Sequence, residues 1–556
     1  MIQNTIEDNS IIPNLWTLCD GQQLKHLFKA ALATLEKQYE YVNQLNVFPI
    51  PDGDTGTNML LTLRKAYGAI QHSESAHIGQ IAAQFARGAL MEARGNSGVI
   101  LSQIFQGLAD GLQEAETAST QLMGDAMMLA SSKAYKSVSD PTEGTILTVI
   151  RETAVSAEAY QGNDLRAFFE TVLQQSKQTL AKTPELLPIL KESGVVDSGG
   201  QGLAYLFQGM VDWINGKLQP IEPVDLPTAA SLPAQAHAVP EGGQLENPYD
   251  VQFLLFGENL DVDAMRRKMD EIGDSTVVVG DASLIKVHVH VKNPGEPLSY
   301  AVQFGQIDDV VVENMQAQME AIVGGATETA VDAFEAQDDQ IGVVAVVPGD
   351  GFATIFKSMR ASQIIAGGQT NNPSVEDILN AIESVTTNNV IVLPNNKNIL
   401  LTAETASQMS QKKVKVVPTK TMPQGLSAMV VLEVDGELEQ TAVMMKAAAE
   451  EIMTAEVTRA TRTVELDGVA VQEGDIIGLL NGRLTVAGDE ITAVIKQLLD
   501  QIDMDEMEII TLYSGHDVTA EAKQNLHHQL QAFYPDIEFE LHDGGQQHYD
   551  YILGIE

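Results

Sequence analysis

A chain of 556 residues exceeds what one hydrophobic core supports, so several domains are expected. Its 76 acidic against 33 basic residues leave a formal net charge of −43, a field that repels nucleic-acid backbones and anionic membranes and argues against both as partners. The single cysteine, Cys19, excludes an intramolecular disulfide, residues 1–10 lack a basic-then-apolar leader, and no apolar run approaches the ~20 residues of a membrane span, so a soluble, cytoplasmic protein is expected.

From about residue 20 to 217 the pattern is helical almost throughout. Leu24, Leu27, Phe28, Ala31, Leu32, Leu35, Tyr39 and Val42 recur at helical spacing behind Asp20, an N-cap residue. Further helices are predicted at 57–70, 77–93, 99–112, 121–137, 145–160, 164–182 and 200–215, making an eight-helix unit over 1–217 with no strand. Residues 218–246, rich in Pro, Ala, Gln and Glu, read as a linker. Within 247–330, YDVQFLLF, STVVVG, LIKVHVHV and DDVVVEN read as strands and DVDAMRRKMDEI and PLSYAVQFG as helices, an order that predicts a small α+β, split βαβ domain. Over 339–556, buried apolar runs such as IGVVAVV and NVIVLP alternate with amphipathic helices such as VEDILNAIES, which predicts a parallel or mixed α/β sheet. The fold class is therefore multidomain: all-α, then α+β, then α/β.

Four loops of the helical unit carry unusual residues: NVFPIPDGDTGTN (46–58), RGNSG (94–98), SDPTEG (139–144) and GVVDSGGQG (194–202). They fall on alternate connections, which in an up-and-down bundle lie at the same end. Each loop opens a helix, and helix N-termini offer N–H groups and a positive dipole end to anions. Asp52 and Asp54 flank Gly53. Carboxylates that close repel unless a cation sits between them, and their hard oxygens suit Mg²⁺. Thr57 and Asn58 start the next helix, as caps or facing a phosphate. D-G-D alone reads as a solvated turn; with the other three loops on one rim, a nucleotide site is favoured.

PDGDTGTNM, RGNSG and VVDSGGQGL resemble the motifs of the nucleotide-binding L-subunit of dihydroxyacetone kinase, a DhaL-like domain. The whole chain, closing with HDGGQQHYDYILGIE, more closely resembles the ATP-binding component of bacterial fatty acid kinase. The resemblance implies an eight-helix barrel that binds ATP, with one or two Mg²⁺ ions on Asp52 and Asp54. The dihydroxyacetone kinase protein has a third aspartate upstream, near which this chain has Asn46. Gly95, Asn96, Ser97 and Gly98 match a phosphate-contacting loop, and Thr145 and Asp197 match neighbouring loops of the nucleotide site. Arg94, the cation nearest these motifs, would stabilise the transferring group or serve the dipole of the preceding helix. The implied activity moves the ATP γ-phosphoryl to the carboxylate of a fatty acid presented by a separate DegV-type lipid-binding carrier, giving acyl phosphate for phospholipid synthesis. Such an acceptor is already ionised and needs no general base, so positioning and charge neutralisation would do most of the work. A kinase for dihydroxyacetone (glycerone) and a non-catalytic, ATP-binding regulatory scaffold are the alternatives.

His288 and His290 lie two apart on a predicted strand and so share a face. In the family a cysteine on the first strand accompanies the matching HVH; here Asp250 stands there, leaving either an Asp–His–His site for Zn²⁺ or another metal, or two strand histidines. In the C-terminal part, GGQTNNPS (367–374), LPNNKN (393–398) and PTKTMPQG (418–425) lie at strand ends, where open α/β sheets bind ligands. There the resemblance implies a DegV-like fold used for partner docking or regulation, with homodimerisation a further expectation.

Overall fold

The computed structural model describes residues 15–46, 53–138, 141–217, 247–257, 260–280, 284–314, 334–504 and 507–556. The chain divides into two compact units, one of residues 1–223 with 332–556 and one of residues 224–331. The sequence reads as three domains in tandem; packing joins the first to the third. Among the described residues no helix is long and apolar enough to cross a membrane.

The helical part of the larger unit comprises α1 (Gly21–Glu36), α2 (Tyr39–Gln44), α3 (Thr55–Gly68), α4 (Ile78–Glu92), α5 (Gly95–Leu112), α6 (Thr120–Lys136), α7 (Ile146–Glu158), α8 (Leu165–Leu186), α9 (Pro188–Ser193) and α10 (Ser198–Ile214). Asp20 begins it with a capping box, its side chain accepting from Gln23 N at 2.8 Å. From α4 each long helix packs on the next, and α10 returns against α1, so the layer closes on itself. Phe28, Phe85 and Phe105 fill its interior, with Phe28 stacked on Phe85 at 3.8 Å between ring centroids. Closure requires close backbone approach: a Cβ on Gly209 of α10 would lie 2.4 Å from the Ala30 carbonyl oxygen of α1.

Two departures from the expected helices matter for the site. The first helix breaks at Lys37–Gln38, and α2 then carries Asn43 beneath the start of α3. Helix α8 runs through Pro184 to Leu186 rather than stopping near 182. Proline removes the N–H that would satisfy the Leu180 carbonyl; the Thr183 hydroxyl donates to that carbonyl instead, at 2.7 Å.

The smaller unit has β1 (Tyr249–Phe256), α11 (Val262–Ile272), β2 (Gly273–Gly280), β3 (Leu284–Val291), α12 (Gly295–Ala301) and β4 (Gln306–Asn314). Its antiparallel sheet runs β2-β3-β1-β4, the split arrangement read from the sequence. Asp250 pairs in register with His290, and Gln252 with His288. The side chains of Asp250, His288 and His290 lie outside the described part of the structure.

The α/β part of the larger unit contains β5 (Ile341–Val347), β6 (Gln363–Ala366), β7 (Asn389–Leu393) and β8 (Lys413–Val416), all parallel in the order β6-β5-β7-β8. Helices α13 (Asp350–Ser358), α14 (Val375–Ser384) and α15 (Leu400–Met409) make the crossovers between successive strands. Seven fully buried residues in a row, Ile341–Val347, are what a parallel strand covered on both faces requires. A six-stranded sheet follows, from β9 (Met453–Arg459), β12 (Ile476–Leu480), β13 (Arg483–Gly488), β14 (Ile509–Ser514), β15 (Glu538–Asp543) and β16 (Tyr549–Ile555), in the order β13-β12-β9-β16-β14-β15. It is antiparallel except for β14 with β15. Strands β10 (Val464–Leu466) and β11 (Val469–Val471) form a separate hairpin.

Because the Gly209 contact closes the layer of helices, Gly209→Val is expected to destabilise the protein by roughly 1–3 kcal/mol or more. Chemical denaturation of the variant beside the parent protein measures this, and an unchanged midpoint would contradict the tight α1–α10 approach.

Candidate functional site

Helices α3, α5, α7 and α10 begin around a single cavity of about 520 Å³. Each of the four loops singled out in the sequence contributes to its wall, through Asn46, Asp54 and Thr55, through Gly95–Ser97, through Thr142 and Thr145, and through Asp197–Gly199. The long helices of a closed layer alternate in direction, so alternate connections emerge on one rim.

Each start is secured differently. At α3 the cap residue Asp54 makes no capping bond; Asn43 Oδ1 accepts instead from Gly56 N at 2.7 Å and Thr57 N at 3.2 Å. Asp54 lines the cavity and is 9% exposed. At α7 the Thr145 hydroxyl caps Leu147 N. At α10 Asp197 Oδ2 accepts from Gly200 N at 2.6 Å, and Asp197 N donates to the Thr183 hydroxyl at 3.1 Å. The threonine that satisfies the carbonyl orphaned by Pro184 therefore also holds the start of α10. Gly95 has φ +56°, in the region that glycine adopts without strain, and a Cβ there would lie 2.8 Å from Asn58 Nδ2.

The structure brings Asn46, Asp54, Asn58, Gly95, Asn96, Ser97, Thr145 and Asp197 together on the cavity wall. It does not bring Thr57, Gly98 or Arg94 there. The Thr57 hydroxyl accepts from Asn43 Nδ2 at 3.0 Å. Gly98 is a packing glycine, where a Cβ would lie 2.7 Å from Thr62 Oγ1 of α3. The Arg94 guanidinium is held by Glu92 at 2.8 Å and Asp377 at 3.7 Å, and donates to the Asn372 carbonyl at 3.3 Å. Its positive charge serves a joint between the helical and α/β parts rather than the cavity. Asp52 lies outside the described residues.

The far wall of the cavity comes from the α/β part. Lys397, Asn398, Leu400, Leu401 and Glu404 of the α/β part line the same cavity, with Leu400–Glu404 opening α15. Burial raises the Glu404 carboxyl above its ordinary range. The flagged loop LPNNKN contains Lys397, but nothing in local pattern says that a strand-end loop of one part will face the helix starts of another. The same loop borders a second cavity of about 470 Å³ at the ends of β5–β8, where Glu456 is pushed up to about 7 by burial, partly offset by Lys397.

The donors around Asp54 are oxygens and amides. Asn372, from the GGQTNNPS loop, donates from Nδ2 to Asp54 Oδ2, and its own Oδ1 is buried without a hydrogen-bond partner. A carboxylate with amide oxygens is a donor set that suits Mg²⁺ rather than a thiophilic metal. Among the described residues no three His, Cys, Asp or Glu side chains gather as a metal site. A cation here would thus be held by Asp54 with amide oxygens.

Burial pushes the Asp197 carboxyl up to about 6, against the lowering effect of the N–H groups of Gly200 and Ile146. A carboxyl held above its unfolded value favours the folded state below pH ~4, and that advantage is lost as pH rises through about 6. Asp197→Asn keeps a capping side chain and removes the titration. Relative to the parent protein, the variant should gain stability between pH ~4 and ~6, by up to about 3 kcal/mol, and hold that gain above. A difference in unfolding free energy that stays flat across this range would contradict the burial of Asp197.

Comparisons with known proteins cover nearly all of the chain. A family model for the C-terminal region of FakA-like fatty acid kinase proteins matches residues 342–556, a "DAK2 domain" model matches 49–212, and a model for the FakA-like middle domain matches 246–322. Protein YloV of Bacillus subtilis (strain 168) is 35% identical over 549 residues, spanning 97% of this chain and 99% of that protein. An uncharacterized protein of Staphylococcus epidermidis is 35% identical over 547 residues, with the same coverage. Among solved structures, a fatty-acid-binding DegV family protein from Thermus thermophilus covers 39% of this chain and 99% of its own, at TM-score 0.31 and 13% identity. The Streptococcus pneumoniae Fatty Acid Kinase (Fak) B3 protein loaded with linoleic acid covers 39% and 99%, at TM-score 0.27 and 10% identity.

Proposed function

We propose that this chain, which belongs to the FakA-like fatty acid kinase family, transfers the γ-phosphoryl group of ATP to the carboxylate of a fatty acid held by a separate DegV-type carrier, forming an acyl phosphate. Family membership makes it a kinase-type enzyme; the acceptor and the carrier are our reading. The observation that carries it is the convergence of four helix starts, Asp54 and Lys397 on one cavity.

In this reading the N–H groups at the starts of α3, α5, α7 and α10 bind phosphate oxygens, with Gly95 letting the backbone come close. Asp54, with Asp52 and Asn46, holds Mg²⁺, which when bound neutralises phosphate charge. Lys397 adds a cation on the opposite wall. Ile100, Val138, Ile146, Leu147, Leu400 and Leu401 give the cavity an apolar share suited to a nucleobase. An acceptor carboxylate is ionised at neutral pH, so positioning it against a shielded phosphate is sufficient and no residue need remove a proton.

The full chain is incubated with ATP, Mg²⁺ and oleate, with and without a DegV-type carrier, and ADP and acyl phosphate are measured. Turnover is expected only with the carrier; turnover of dihydroxyacetone without it, or nucleotide binding with no turnover in any mixture, would overturn the proposal. Asp54→Ala should lower kcat by about a hundredfold or more while the variant still unfolds in one cooperative transition. Lys397→Ala should lower kcat/KM for ATP by about tenfold, the loss of one charge-assisted contact.

A further inference from the structure

Asn372 belongs to the α/β part by sequence and to the helical part by contact. It lies in the loop after β6, just ahead of α14, and is 2% exposed. Pro373 follows it, which disfavours helical backbone at Asn372. Its carbonyl oxygen accepts from Arg94 Nη1 at 3.3 Å, and Val375 N donates to the Ala93 carbonyl at 3.1 Å. Those two bonds pin the loop on either side of the asparagine side chain. A Cβ on Gly95 would lie 3.7 Å from Asn372 Nδ2, so the side chain sits at the start of α5 as well as on Asp54.

The choice of side chain is informative. A lysine or arginine here would neutralise Asp54 and compete with any cation. The amide instead donates one hydrogen bond to Asp54 Oδ2 and leaves the carboxylate its charge. The Asn372 Oδ1 atom is buried without a donor. A buried acceptor left unsatisfied costs about 1–3 kcal/mol, a penalty that a ligand at the site would remove.

We propose that Asn372 is a positioning residue of the phosphoryl-transfer site, supplied by the α/β part: its amide N–H sets the Asp54 carboxylate, and its carbonyl oxygen is an added hard donor for the cation. The proposal rests on the reading of Asp54 as a cation ligand. It follows that cation affinity depends on how the loop 367–374 is seated, so the α/β part bears on the chemistry as well as on partners.

The test is direct binding of Mn²⁺, as a paramagnetic stand-in for Mg²⁺, to the full chain with a non-hydrolysable ATP analogue, read from the free Mn²⁺ resonance. Asn372→Ala is expected to weaken Mn²⁺ binding by about tenfold or more. Asn372→Asp restores an oxygen donor and should bind Mn²⁺ at least as tightly as the parent. It should also show a lower unfolding midpoint without metal, because two carboxylates then face each other, and a larger rise when Mn²⁺ is added. Binding by Asn372→Ala within twofold of the parent would overturn the proposal, as would equal weakening in the alanine and aspartate variants, the mark of a purely structural role. Asp54→Ala run alongside separates the two readings. If it loses Mn²⁺ while Asn372→Ala does not, only the role of Asn372 fails; if it too binds normally, the cation site itself is wrong and both fail.

Discussion

Ala93 and Val99, at the start of α5, are fully buried in one apolar cluster with Val375, Ile378, Ile399 and Ala403 of the α/β part. Burying side chains of this kind is worth roughly 25 cal/mol for each Å² removed from water, and it is indifferent to direction. Direction comes from the polar contacts around the seam. The antiparallel bridge between Arg94 and Ser374, the Val375–Ala93 bond and the Arg94 ion pairs with Glu92 and Asp377 set how the two parts meet. The far wall of the cavity, from Lys397 to Glu404, and Asn372 beside Asp54 are placed by that seam.

The seam also defines the electrostatic problem of the site. Helix starts aimed at one space bring positive dipole ends together, which is unfavourable until negative charge arrives. The two described aspartates handle this differently. Asp54 lines the cavity while Asn43 caps its helix, whereas Asp197 caps its own helix and burial raises its pKa to about 6. On a chain with a net charge of −43, a local excess of N–H groups with one lysine is what would let an anion approach.

Much of this was legible in residue order because the determinants are local. Gly, Asp, Thr and Ser before an apolar periodic run mark helix starts, and their alternation along the chain predicted a shared rim. The motif residues that lie off the wall do so for equally physical reasons. Thr57 and Gly98 sit inside the motifs, but one turn of helix decides which side a residue faces, and theirs is turned to Asn43 and Thr62. Of the two roles open to Arg94, neither included the joint, because Asp377 and the Asn372 carbonyl are about 280 positions away in sequence.

Periodicity and loop composition were thus enough to establish the helical layer, the split sheet, the parallel strands and the four glycine-bearing helix starts, since each is set within a few residues by hydrogen bonding and side-chain spacing. Only the folded chain decided that the α/β part seats on the rim of the helical part, that Asn372 meets Asp54 while Lys397 lines the same cavity, and that Arg94 is a joint. Those contacts arise from apolar burial between segments hundreds of residues apart. Burial carries no sequence signature of its partner.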